Sequence, residues 1–147
     1  AFRFHLGSVA DHRNDYSAAE QHYRAVLERQ PNHAIALNNL AWVLVRQGKP
    51  GAIAAAERAN ALLPGRAPIL DTLASAQAAE DRIADAVQTQ RLASAASPGD
   101  PDLKLTLARY LVRAGDRESA RKQLAELAAL GDRFKGQAEV QTLMNSL

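Results

Sequence analysis

Three prolines, Pro31, Pro64 and Pro98, stand 33 and 34 residues apart, and each closes the same ladder of small and apolar residues. Five residues before them come Val26, Ala59 and Ala93, and seven before those come Ala19, Ala52 and Ala86. A fourth rung, Ala120 and Leu127, keeps the spacing, with Asp132 at the proline position. Thirteen residues before three of these first alanines stand Leu6, Leu73 and Leu107, whereas Leu40 precedes Ala52 by twelve, so that turn is one residue short. Each leucine is followed by a small residue: Gly7, Ala41, Ala74 and Ala108. Recurrence at this period marks stacked units, none of which can bury its apolar face alone.

Composition supplies the type of unit. Alanine fills 31 of 147 positions while aromatic residues make up 5%, which favours helices whose backbones approach closely. Turn signals fall at Asn14-Asp15, Gln47 to Gly51, Glu80-Asp81 and Gly115-Asp116, so each period divides into two antiparallel helices. Pro68 and Pro101 suit the first turn of a helix. Val140, Leu143, Met144 and Leu147 share one helical stripe, which predicts a closing helix over residues 137–147.

These columns resemble the tetratricopeptide repeat (TPR) family, whose pattern runs W-x2-L-G-x2-Y…A-x3-F…P. Leu6-Gly7, Tyr16, Ala19, Tyr23 and Pro31 match in the first unit, and Leu40-Ala41, Leu44, Gly48, Ala52 and Pro64 in the second. The large aromatic columns are mostly Leu, Ala or Gln, as at Gln77 and Gln90. The resemblance implies an all-α fold, a right-handed α-solenoid of about four units over residues 1–33, 34–66, 67–100 and 101–133 plus the capping helix, forming one domain over 1–147. It also implies a non-enzymatic protein-interaction scaffold, with first helices lining a concave groove.

Ala1 stands where a starting methionine would, and the helical pattern already runs at Phe2 with no capping residue before it. The expectation is a C-terminal piece of a longer repeat protein, cut at residues 1–13. The phrase Leu37-Asn-Asn-Leu-Ala-Trp42, with Leu63-Pro64 and Ile69-Leu70-Asp71-Thr72-Leu73-Ala74, resembles the C-terminal repeats of bacterial envelope TPR proteins, such as the TPR lipoproteins of PEP-CTERM/exosortase and exopolysaccharide systems. That resemblance implies an exported, lipid-anchored parent in the cell envelope or periplasm; without it the expected compartment is the cytoplasm.

Chemistry is scarce. With no cysteine, thiolate metal sites and cysteine nucleophiles are excluded. His5, His12, His22 and His33 all lie in the first unit without an H-x3-H pair, so no metal is expected. No G-x-S-x-G, P-loop or G-x-G-x-x-G occurs, and carboxylates are scattered, so neither catalysis nor a cofactor is expected. Eighteen basic against sixteen acidic residues, and only Phe4 and Trp42 as groove aromatics, argue against a nucleic-acid partner. No apolar stretch is long enough for a membrane span.

A surface remains. The faces turned away from the Leu–small stripe carry Phe4, Ser8, Asp11 and His12; then Asn38, Trp42, Val45 and Arg46; then Asp71, Ser75 and Ala78; then Leu105, Arg109, Val112 and Arg113. The expected partner-binding residues are Asn38, Trp42, Arg46, Asp71, Arg109 and Arg113, since tryptophan and arginine are enriched among binding anchors. Trp42 alternatively fills the groove floor, Asn39 alternatively makes a contact between units, and the arginine pair alternatively forms a solvated face. Chaperone-binding TPR domains resemble one another in a clamp of Lys, Asn and Arg; Phe4, Ser8, Pro68 and Thr72 stand at those positions and only Asn39 matches, which rules out that ligand class. The competing expectation is a solenoid segment that self-associates or continues its parent array with no groove ligand, favoured by the cut first unit and by exposed Leu105 and Val112.

Overall fold

Each column of the repeat has a physical counterpart in the packing. The computed structural model describes residues 1–147 and contains nine α-helices, one 3-10 turn and no strand. The helices are α1 (Phe2–His12), α2 (Tyr16–Arg29), α3 (Ala34–Arg46), α4 (Ala52–Leu62), α5 (Ala67–Ala79), α6 (Ile83–Ala96), α7 (Pro101–Ala114), α8 (Arg117–Ala128) and α9 (Gln137–Asn145). Consecutive helices pack against one another along the whole chain, and α3 also touches α5 directly. This is an all-α solenoid of four helix pairs with α9 laid over α8 and α7.

The small residue after each leucine, Gly7, Ala41, Ala74 and Ala108, is buried, and so are all eight ladder positions from Ala19 to Leu127. A Cβ added at Gly7 would lie 2.7 Å from Tyr23 Cε1, so the first helix pair closes against the bare backbone there. The turn inside each pair holds one residue in the left-handed region: Asn14, Gly48, Asp81 and Gly115, with φ between 59° and 76°. Asparagine, aspartate and glycine are the residue types that tolerate this conformation. In the second pair the missing residue falls after Gly48, and the connection runs five residues to a second left-handed residue, Gly51 at φ 95°, so that α4 begins at the ladder alanine instead of three residues before it.

Four helix starts are fixed by side chains. Asp15 and Asp116 Oδ1 accept from the amides of Ala18 and Ser119 at 3.1 and 3.0 Å, and Asp100 Oδ1 accepts from Asp102 at 2.9 Å. His33 does the same for α3, its Nδ1 accepting from Ala36 at 3.1 Å while its ring stacks on Phe4 at 5.2 Å. Phe4 is thereby half-buried against His33 and Tyr23 rather than free in the groove.

The core follows the array in successive clusters, the largest around Tyr23, Leu40, Val43 and Leu44. Every buried polar side chain, Thr72, Gln77, Thr89 and Gln90, lies in α5 or α6. Gln90 replaces the family's large apolar side chain by reaching Asp71 Oδ1 at 2.8 Å and the Leu103 carbonyl at 3.2 Å, tying the third pair to the fourth. The Oε1 atoms of Gln77 and Gln90 and the Oγ of Ser94 have no hydrogen-bond partner.

At the C-terminal end, Leu105, Ala108, Leu124, Leu127, Phe134 and Val140 form one cluster, with Leu143 and Leu147 against it. Met144 departs from the expected stripe and stays exposed. The expectation of exposed Leu105 and Val112 is corrected: Leu105 is buried and Val112 half-buried, because the C-terminal segment closes over α7 and α8.

Candidate functional site

Asn38, Trp42 and Arg46 follow one another at four-residue spacing on α3, so they share a face. Trp42 is 36% exposed and belongs to none of the core clusters. The Arg46 guanidinium carbon lies 5.6 Å from the Trp42 ring centre and 5.5 Å from that of Tyr16, while Arg46 Nε donates to the Tyr16 hydroxyl at 3.3 Å. Both distances are within cation–π range. Tyr16 in turn donates to Asn14 Oδ1 at 2.8 Å. The end of α1, the following turn and the last turn of α3 thus enclose an open depression of about 390 Å³ lined by Asp11, His12, Asn14, Tyr16, Trp42 and Arg46. Burial pushes the Asp11 carboxyl up, with the nearby His12 and Arg46 opposing the shift.

Asn38 donates from Nδ2 to Asn39 Oδ1 at 3.3 Å, and its own Oδ1 is buried without a partner. Asn39 turns inward and donates to the Tyr23 hydroxyl at 3.3 Å, joining the first and second helix pairs. Sequence reasoning passed over two neighbours. Ile35 is exposed one turn before Asn38, and continuing the α3 stripe backwards by one turn would have found it. Tyr16, read as a packing column, supplies one wall of the Arg46 pocket; its place at the first position of α2 was the available signal.

The other three expected residues lie on α5 and α7. Asp71 on α5 is half-buried and accepts from Gln90, and burial raises its carboxyl above the usual range. Arg109 forms a two-pronged ion pair with Glu139 of α9, Nη2 to Oε2 being 2.8 Å, and the bonded carboxylate raises the guanidinium further while the guanidinium lowers Glu139. Arg113 Nη2 donates to the Ala78 carbonyl at 3.2 Å and lies 3.4 Å from Asp81. The expected cationic, apolar end is therefore corrected: both arginines are engaged by the protein's own acceptors, and the adjacent Leu105 is buried. Between α5 and α7, Ser75 and the mostly buried Tyr110 hydroxyl are 3.4 Å apart.

No group of three His, Cys, Asp or Glu side chains is placed to hold a metal, and no helix is long and apolar enough to cross a membrane. The surface can do what a preformed interaction face does: offer an aromatic plane and an oriented cation.

Comparison with known proteins agrees with this architecture. Over 117 residues, 77% of this chain, it is 32% identical to proteins named cellulose synthase operon protein C from Komagataeibacter sucrofermentans and Komagataeibacter xylinus. It spans only 9% of the length of those relatives. Among solved structures it is similar to MamA from Desulfovibrio magneticus RS-1, with a TM-score of 0.81, 21% identity, and 90% of this chain and 76% of that one covered. TTC0263, a thermophilic TPR protein from Thermus thermophilus, gives 0.75 at 22% identity over 88% and 73% of the two chains. The O-GlcNAc transferase of Thermobaculum terrenum gives 0.71 at 24% identity, over 74% of this chain and 21% of that one. At these identities the likenesses speak for the fold. Two family models described as tetratricopeptide repeat match residues 22–54 and 89–147. Together with the four helix pairs and their small-residue columns, these matches show that the chain belongs to the tetratricopeptide repeat family.

Proposed function

We propose that this solenoid is a non-enzymatic scaffold that binds a protein or peptide partner along its concave groove, with the face of α3 around Trp42 as the primary contact. A TPR array is in general a protein-interaction scaffold, and its stacked pairs present a preformed surface that loses little entropy on binding. The observation that carries the reading is Trp42: the sole tryptophan stands outside every core cluster and exposes more than a third of its surface. Such aromatics beside arginine are the residue types that dominate binding energies. The relatives named for a cellulose synthase operon support a role in a bacterial envelope or exopolysaccharide-export assembly. Leu105 is buried, which supports this reading over self-association through that side chain.

Trp42→Ala tests this reading. Because the ring is outside the core, the variant should lose no more than about 1–2 kcal/mol in a circular-dichroism melt, against about 3–5 kcal/mol for truncating a core aromatic. It should at the same time lose proteins that the wild-type chain retains from an extract of its source organism. A core-sized loss of stability, or identical retained proteins, would remove Trp42 from the site.

A further inference from the structure

The three arginines expected in the groove are not equivalent. Arg109 is ion-paired to Glu139 and Arg113 lies within 3.4 Å of Asp81, so each already has a carboxylate. Arg46 has none: its one hydrogen bond runs from Nε to the Tyr16 hydroxyl, and both terminal nitrogens are without a protein acceptor. The guanidinium is nevertheless held, because its carbon sits within 5.6 Å of the centres of both the Tyr16 and Trp42 rings. A planar cation fixed by two aromatic faces, with its outer donors unspent, is prepared for a carboxylate at little entropic cost. The one carboxylate lining the same depression, Asp11, makes no ion pair with Arg46, and burial disfavours its charged form.

The neighbouring groups extend the pattern along α3. Trp42 and, two turns earlier, Ile35 are exposed apolar side chains. Between them Asn38 is half-buried, with its Oδ1 closed off from the surface.

We infer that the groove selects a partner segment in which a large apolar side chain stands beside an acidic one, the apolar group lying on Trp42 and the carboxylate pairing with Arg46. The inference rests on the groove reading above and adds the chemistry of its occupant. It differs from a clamp that grips through several cations, since the groove's anion selectivity resides in one side chain.

The sole tryptophan makes the test direct, because Trp42 emission reports on the site. The probes are three blocked hexapeptides with a Leu-Phe core followed by Asp-Glu, Asn-Gln or Lys-Lys, titrated against the full chain by tryptophan fluorescence and by calorimetry. The Asp-Glu peptide should bind at least about tenfold tighter than the Asn-Gln peptide, with the preference shrinking at high salt. Arg46→Gln should abolish that preference, and Arg46→Lys, which keeps the charge without the stacked plane, should retain part of it. A circular-dichroism melt of each variant separates loss of binding from loss of fold. Equal affinity for the acidic and neutral peptides would overturn the charge assignment while leaving the groove reading standing. Calorimetric binding that leaves Trp42 emission unchanged would overturn both, as would no binding of any probe up to about 1 mM.

Discussion

Gly7→Ala sets two effects of opposite sign against each other, and the packing decides between them. Alanine for glycine inside a helix is worth about 1 kcal/mol of stabilisation, from the smaller entropy lost on folding. The new methyl group, however, would stand 2.7 Å from Tyr23 Cε1, 3.0 Å from Cδ1 and 3.1 Å from Cζ. The ring has little room to retreat: Tyr23 is fully buried among Ala19, Leu40 and Val43, and its hydroxyl accepts a hydrogen bond from Asn39. Overpacking of this kind costs about 1–3 kcal/mol. The net expectation is neutral to destabilising by about 2 kcal/mol. The sign should reverse once the ring is gone, so that in a Tyr23→Leu background the same Gly7→Ala change stabilises by up to about 1 kcal/mol. Urea unfolding of the four proteins gives the coupling between the two sites, expected at about 1–3 kcal/mol. A stabilising Gly7→Ala in the wild-type background would refute the close approach of α1 to α2.

Two further perturbations test the repeat and its turns. Ala86→Leu, at a fully buried rung of the ladder, should cost about 1–3 kcal/mol, and an unchanged melting temperature would contradict the register. Glu20, with a side chain only 12% exposed, is held down to about 2 by its bond from Lys49, with Arg24 and Gln47 adding to the shift. Because the folded value is the lower one, the stabilisation is present above the unfolded value of about 4.3 and is lost as pH falls from there through the folded value. Glu20→Gln should therefore cost about 1 kcal/mol near neutrality, after allowance for solvent screening, and nothing at the acid end of a pH series of urea melts.

The helix pairs were legible in the sequence because backbone contact leaves a mark at fixed spacing: a residue such as Ala74 or Ala86 stays small wherever two helices touch. The turns were legible for a similar reason, since left-handed backbone at Asn14, Gly48, Asp81 and Gly115 admits few residue types. The groove was less so. Projecting one face of α7 into the groove assumed that all four pairs are alike, yet the last one is covered by the C-terminal segment, which buries Leu105 and brings Glu139 to Arg109. That pairing spans thirty residues and depends on how α9 settles, which no periodicity records. His33 as a helix cap was hidden because imidazole is an uncommon capping group. The shared helical face of Arg46 and Trp42 could be read from their spacing, but the second ring over Arg46, that of Tyr16, comes from a different helix.

The confinement of all the buried polar side chains to α5 and α6 has a consequence for cooperativity. In a linear array each unit is coupled only to its neighbours, so order propagates along the chain no farther than its weakest coupling allows. Unpaired acceptors at Gln77 and Gln90 cost the third pair part of its intrinsic stability, as the unpaired His22 Nδ1 and Asn38 Oδ1 cost the first two, while Gln90's bond to Leu103 ties the third pair to the fourth. The third pair, whose two helices make the most extensive contact in the array, is therefore bound to the fourth by a polar tie rather than set apart from it. The Trp42 and Arg46 face lies on the second pair, before that tie, and the clip between Arg109 and Glu139 lies after it. Breaking Gln90's bonds to Asp71 and Leu103 would loosen the coupling between these two regions while leaving the local contacts of each intact.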